Sequence, residues 1–264
     1  MEVFVISMND DRYQSAETNL IGSGFLKSQI VRFPAVVGST IDLNDESLVH
    51  ASTKTYLLNK ENNLQPYYDT KINHGQLIPS KGALGCYLSH YHLWKQIAAE
   101  GHDAIIAEDD IVFRIPNANA EIEKKWEQSK QLGIQILLLG SSKLPLLQST
   151  IPGLFHVMDH FFGTEGYVLS PEGAQRLLIN ALPIKIQVDA YIGSFASSKK
   201  LKIGAVRPSI SGQNHMLQST VQPQTLKRKT LFTVRKHWLP ILIFLCVLLF
   251  GFGLFFVLNQ NKTK

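Results

Sequence analysis

Residues 105–113 read IIAEDDIVF. Two runs of β-branched and aromatic residues enclose three consecutive acids. A short apolar run bounded in this way predicts a buried strand. Adjacent carboxylates repel, and each costs on the order of several kcal/mol to bury unless something pairs with it. The stretch therefore predicts positive charge beside it. In open α/β sheets, ligands collect at the carboxyl ends of strands. Glu108 and Asp110 alternate, so on an extended chain they point to one face. Such a pair can hold a hard divalent cation through oxygen. EDD also occurs on solvated turns, and the pattern alone leaves both readings open.

The flanking sequence supplies the rest of a layered domain. EVFVIS (2–7) predicts a strand, and the polar stretch from Asn9 or Asp10 to Leu20 a helix stopped by IGSG. QIVRFPAVVG (29–38) predicts a second strand, with Pro34 marking an edge or bulge. Residues 42–80 are weakly patterned and predict a loop-rich excursion with a helical turn or two at TYLLNKENN. Residues 83–101 predict a long helix ending at Gly101. AEIEKKWEQSK predicts a surface helix, IQILLLGS a buried strand, and LFHVMDHFFGTEGYVLS two strands joined by a turn. PEGAQRLLINAL predicts a helix with Pro171 at its first position. Residues 189–198 predict another short helix, and LKIGAVRP a last strand. There are no internal repeats. Strands alternating with helices predict an α/β fold.

The 264 residues are 45% hydrophobic and 18% charged, with a net charge of +5. That charge is unevenly spread. Seven basic and no acidic residues follow position 220, so residues 1–220 carry −2. The basic balance therefore does not point to nucleic acid. From Leu239 to Leu258 the chain reads LPILIFLCVLLFGFGLFFVL, apolar on every face. That is long enough to cross a hydrocarbon core of about 30 Å as a helix. Five basic residues between 227 and 236 precede the run and predict a cytoplasmic main domain. The expected organisation is a domain over 1–220, a basic juxtamembrane linker over 221–237, a transmembrane helix over 238–258 and a short tail over 259–264. MEVFVISMNDDR lacks a basic n-region and predicts no secretory signal. Of two cysteines, Cys246 falls in the apolar run, so Cys86 has no soluble partner and reads as a small buried hydrophobe.

The segment GALGCYLSHYHLWKQIAAEGHDAIIAEDDIVF resembles glycosyltransferase family 25, the family of lipooligosaccharide and collagen galactosyltransferases. The resemblance rests on Gly82, Gly85, Cys86, Ser89 and His90, then Trp94, then Glu108, Asp109 and Asp110. VFVISMNDDR, FPAVVG, FGTEGYVLSPEGAQRLL, IQVDAY and RPSISGQNHMLQST extend it over about residues 1–220. The chain departs from the family pattern at Met8-Asn9-Asp10, where a Leu and a basic residue are common. It departs again at Val37, where an Asp is common. The resemblance implies a GT-A-like, Rossmann-like nucleotide-sugar transferase domain. It further implies a UDP-sugar donor, often UDP-galactose, a divalent metal (Mn2+ or Mg2+), and inversion at the anomeric carbon.

On that basis Glu108 and Asp110 are the expected metal ligands, with His215 completing the shell. Ser7, Asn9, Gly82, Gly85, Ser89, His90 and Asp109 are the expected donor-binding residues. Asp109 has the alternative of bracing a turn, and His90 that of a hydrogen-bonded core histidine. Asp189, at a helix start, is the first candidate for the base, with N-capping as its alternative. Glu165, between glycines in GTEGY, is its competitor. The expected acceptor is a glycan or glycolipid such as lipooligosaccharide, reached from the membrane surface, with no nucleic acid among the partners. Two other readings stay open. A glycoside hydrolase also uses paired carboxylates, but normally from separate strands. A catalytically degenerate, membrane-tethered binding protein would keep the fold and lose the chemistry.

Overall fold

A computed structural model describes residues 1–62, 77–140 and 145–214. His215, the basic linker, the apolar run 239–258 and the tail lie outside the described residues. Among those that are described, no helix is long and apolar enough to cross a membrane.

The elements follow the predicted alternation. Strand β1 (Glu2–Ser7) leads into α1 (Asp10–Gly22), whose cap Asn9 accepts a hydrogen bond from Arg12 N. Strand β2 (Ile30–Pro34) and α2 (Ala51–Glu61) precede the long α3 (Lys81–Glu100). Ser80 caps α3, and left-handed Gly101 (φ 74°) ends it, a conformation glycine adopts without a Cβ penalty. Then come β3 (Ala104–Glu108), β4 (Ile111–Phe113), α4 (Ala118–Gln131) and β5 (Ile136–Leu138). The chain continues through β6 (Leu146–Gln148), β7 (Leu154–Val157) and β8 (Gly166–Leu169). Helices α5 (Pro171–Leu178) and α6 (Val188–Ser197) are followed by β9 (Ile203–Val206) and β10 (Ser211–Gln213).

Eight strands form one mixed sheet in the order β2-β1-β3-β8-β5-β9-β7-β6. β1 pairs in parallel with β2 and with β3, as does β5 with β9. β8 runs antiparallel between β3 and β5. Pro34 ends the edge strand β2, where a missing N–H costs no ladder bond.

The pleat sorts residues to two cores. Ala104 and Ile106 of β3 join Leu84, Tyr87, Trp94 and Tyr167 in the core under α3, α5 and α6. Ile105 and Ala107 join Ala16 and Leu20 of α1 and Ile122 and Trp126 of α4 on the other face. β3 is thus apolar on both sides, which is why its sequence runs without polar alternation.

Two expectations need correction. The strand does end at the acids, as expected, but the chain does not stay extended through Asp110. The chain turns at Asp109 and Asp110, and β4 leaves the large sheet to pair with β10. Three neighbouring carboxylates find separate partners more readily around a turn than along a ladder. Nor do β7 and β8 form a hairpin. Residues 158–165 carry the chain across the sheet, so β7 pairs with β6 and β9 while β8 inserts beside β3.

Candidate active site

The carboxyl ends of β1 and β3 and the start of antiparallel β8 meet at one edge of the sheet. Register places Ile6 opposite Glu108 and Ala107 opposite Gly166, and Glu108 N donates to Glu165 O (3.1 Å). Ser7, the three acids, Thr164 and Glu165 therefore share this edge.

Each acid has its own partners. Glu108 has the same parity on β3 as Ala104 and Ile106 and belongs to the α3 side. Its Oε1 accepts from Thr164 Oγ1 (2.8 Å) and lies 3.5 Å from His90 Nε2. Burial pushes its carboxyl up, but His90, Thr164 and Arg12 outweigh burial and hold it below its ordinary range. Asp109 belongs to the α1 side. Its Oδ2 accepts from Ser7 Oγ (2.7 Å), and its Oδ1 pairs with Arg12 through Nε (2.7 Å) and Nη2. Arg12 is the positive charge that the three acids require. It lies on the first turn of α1, and Ser7 ends the strand just before that helix. Asp110, on the turn, accepts at Oδ2 from Gln213 Nε2 (2.9 Å), while Asn214 N donates to its backbone oxygen (2.7 Å). Arg12 Nη2 stands 4.0 Å from the same carboxylate. Asp110 Oδ1 is buried and has no hydrogen-bond partner. Burial and the charge of Glu108 push this carboxyl up to about 6.

His90 anchors the floor of the site. Its Nδ1 lies 2.9 Å from Tyr167 Oη, which also accepts from Trp94 Nε1 (2.9 Å). All three side chains are fully buried. Ser89 is buried too. Its Oγ donates to Gly85 O (2.8 Å) and accepts from Val36 N (2.9 Å). A Cβ at Gly85 would stand 2.3 Å from Val36 O, so the missing side chain lets α3 meet the loop after β2. Val37, in that loop, is exposed.

The expected donor-binding residues thus divide. Ser7, Ser89, His90 and Asp109 are buried and engaged inside the protein, where they shape the edge rather than face solvent. Gly85 is accounted for by internal packing. Gly82 lies in the first turn of α3 and Asn9 caps α1.

The two candidate bases differ in their surroundings. Asp189, in the first turn of α6, accepts from Gly163 N (3.2 Å) at Oδ2 and from Ala190 N (2.7 Å) at Oδ1. Burial raises its carboxyl against those two bonds. It fastens the 161–165 loop to the helix start. Glu165 in that loop is pushed up to about 7, first by burial and then by Glu108 and Asp110. Its carboxylate packs over Gly163, where a Cβ would meet Oε2 at 2.4 Å (a distance of clash) and where φ is +96°.

Residues 1–192 match the family described as glycosyltransferase family 25 (LPS biosynthesis protein). The chain belongs to glycosyltransferase family 25. The family match runs from β1 through the acidic turn, Glu165 and Asp189. Procollagen galactosyltransferase 1 of Danio rerio is 33% identical over 132 residues, 45% of this chain and 21% of that protein. Procollagen galactosyltransferase 2 of Homo sapiens is 27% identical over 121 residues, 43% of this chain and 19% of that protein. A probable inactive glycosyltransferase 25 family member 3 of Bos taurus is 28% identical over 201 residues, 72% of this chain and 31% of its own length. The chain matches about a fifth to a third of the length of these curated relatives.

Sequence reasoning did not find Thr164, Gln213 and Tyr167. Thr164 stands 56 residues from its carboxylate partner, and Gln213 stands 103 from its own. No local spacing encodes either pairing. Cys86 packs against the core on the α3 side, as the expected small hydrophobe does. Its four-residue spacing from His90 on one helix was the available signal that it faces the same site.

Proposed function

We propose that this family 25 chain transfers a hexose, galactose in the first instance, from a UDP-sugar to a glycan acceptor, by metal-dependent inversion. The observation that carries this reading is Asp110 Oδ1, a buried carboxylate oxygen without a partner at the carboxyl edge of the sheet. An orphaned buried oxygen is costly unless a ligand satisfies it. An oxygen donor beside further carboxylate charge suits a hard divalent cation. Asp110, with Glu108 beside it, would hold Mn2+ or Mg2+, and His215 stays a proposed third ligand outside the described residues. When bound, the cation would neutralise charge on the diphosphate and the departing nucleotide.

The protein's own groups supply the remaining steps. Arg12 and Ser7 hold Asp109, and so the acidic turn, in place. Glu165 is the proposed base. A carboxyl poised at about 7 can take a proton from an acceptor hydroxyl near neutral pH. Asp189 positions the Glu165 loop through Gly163.

The same reading extends to the membrane. The apolar run 239–258 would serve as a membrane anchor, and the preceding basic cluster would keep the catalytic domain on the cytoplasmic side. Anchoring would confine the enzyme to a surface where a glycolipid acceptor, such as lipooligosaccharide, lies. Deleting residues 238–264 should release the protein into the soluble fraction. Full-length protein found there would remove the anchor and the argument for a lipid-linked acceptor.

A second reading has its own observation. The relative that matches the longest share of this chain among those described above is named as probably inactive. A degenerate, tethered binding protein would keep the sheet edge without turnover. UDP release from a panel of UDP-sugars, with and without Mn2+, separates the two. Mn2+-dependent release lost in Asp110→Asn supports the transferase. Mn2+-dependent binding without release, with acceptor glycans present, supports the binding protein.

A further inference from the structure

Cys86 and His90 stand four residues apart on α3 and so share a face of the helix. Glu108 comes to that face from the end of β3. Ligand atoms of Cys86, His90 and Glu108 all lie within 4.8 Å of one another. His90 is fully buried, and its Nε2 has no hydrogen-bond partner. The nearest carboxylate oxygen is Glu108 Oε1, at 3.5 Å. The other ring nitrogen, Nδ1, is held 2.9 Å from Tyr167 Oη.

This is how an imidazole is set up to coordinate a metal. One nitrogen is fixed by an outer oxygen, and the other presents its lone pair. Tyr167 Oη already accepts from Trp94 Nε1, and its second lone pair can accept a proton placed on His90 Nδ1. Nε2 faces Glu108, and a proton it shares with that carboxylate would leave when a metal binds. The surroundings favour a cation. Glu108, Asp189 and Asp110 place negative charge around Cys86. The same negative charge attracts a metal ion, which would convert the thiol to a bound thiolate. The Glu108 side chain is 21% exposed, and Cys86 is partly exposed.

We propose that Cys86, His90 and Glu108 form a cation site distinct from the oxygen site at Asp110, selective for a borderline-soft divalent ion such as Zn2+ or Co2+. The donor set decides the selectivity. One thiolate, one imidazole and one carboxylate match the ligands these ions take in four-coordinate sites, and they poorly suit Mg2+. Three protein donors leave a fourth position for water or an outside ligand. The proposal stands on this geometry and does not depend on the transferase reading. Because Glu108 serves both sites, an ion here would compete for it with the hard cation.

The test is titration of the full-length chain with Co2+, followed by absorption. A thiolate on Co2+ produces a charge-transfer band in the near ultraviolet, which nitrogen and oxygen ligands alone do not. The band should saturate at one equivalent and disappear when Zn2+ displaces Co2+. It should be lost in Cys86→Ser and retained in Cys246→Ser, which assigns the sulfur. Tyr167→Phe, which removes the outer oxygen from His90, should weaken Co2+ affinity by about 10- to 100-fold. Zn2+ protection of Cys86 from alkylation in the unmodified chain supplies a readout that needs no substitution. No band in the wild-type chain, a band that survives Cys86→Ser, or unchanged alkylation with Zn2+ overturns the proposal. Asp110→Asn should keep the band while removing Mn2+-dependent UDP release. Loss of both would merge the two sites into one, and loss of release alone leaves this site intact.

Discussion

Tyr167→Phe removes a single oxygen from the middle of the protein. The ring is fully buried on β8, and phenylalanine fills nearly the same space, so the packing loss is small. The hydrogen bonds are another matter. Trp94 Nε1 and His90 Nδ1 each lie 2.9 Å from the phenol oxygen, and both residues are fully buried. Water cannot replace the lost partner without opening the core. An orphaned buried polar group costs about 1–3 kcal/mol, so two should cost roughly 2–6 kcal/mol. That is a large share of a domain stability of about 5–15 kcal/mol. The assay is urea denaturation of the full chain, followed by tryptophan fluorescence, for wild type, Tyr167→Phe, Trp94→Phe and the double variant. The double variant should lose less than the sum of the singles by about 0.5–3 kcal/mol, because the two groups act on one oxygen. A loss below about 0.5 kcal/mol for Tyr167→Phe, as small as an ordinary surface change, would refute the account of a satisfied buried network.

Three further outcomes follow from the site. If Glu165 is the base, it acts only when ionised, so the transfer rate should rise with pH through about 7 and level above it. Glu165→Gln should lower the plateau, and a pH-independent wild-type rate would remove Glu165 from the role. Gly85→Ala should destabilise the protein by about 1–3 kcal/mol in thermal melts, because its Cβ would meet backbone atoms at Val36 and Gly38 that cannot swing away. An unchanged or raised melting temperature would show that the loop after β2 yields. Arg12→Ala should cost about 3–5 kcal/mol in denaturant unfolding, since it strips a buried carboxylate of its cation. Arg12→Lys should recover only part of that loss, because an ammonium does not reproduce the guanidinium's two-pronged grip on Asp109. Full recovery would argue for simple charge rather than geometry.

Local chemistry was legible in the sequence because it acts over a few residues. Asn9, Ser80 and Ser170 cap the helices that follow them, Pro171 opens α5, and Gly101 closes α3. The apolar run before Glu108 is a strand buried on both faces, and EDD does demand a positive partner. The ordered set of glycines, Cys86, Ser89, His90 and the acids led to the family that the match over residues 1–192 shows.

What the sequence could not supply is how the three acids divide. On an extended chain, Glu108 and Asp110 would share a face. The structure breaks the strand at the turn and gives each carboxylate its own partners. Parity on β3 sends Glu108 toward α3 and Asp109 toward α1, while the turn hands Asp110 to β10. Thr164 and Gln213 reach the site only because β8 inserts beside β3 and β10 pairs with β4. Short-range periodicity and capping determine which segments become strands and helices. Which charge meets which partner is decided by strand order and register, and these depend on burying two apolar faces at once across the whole chain.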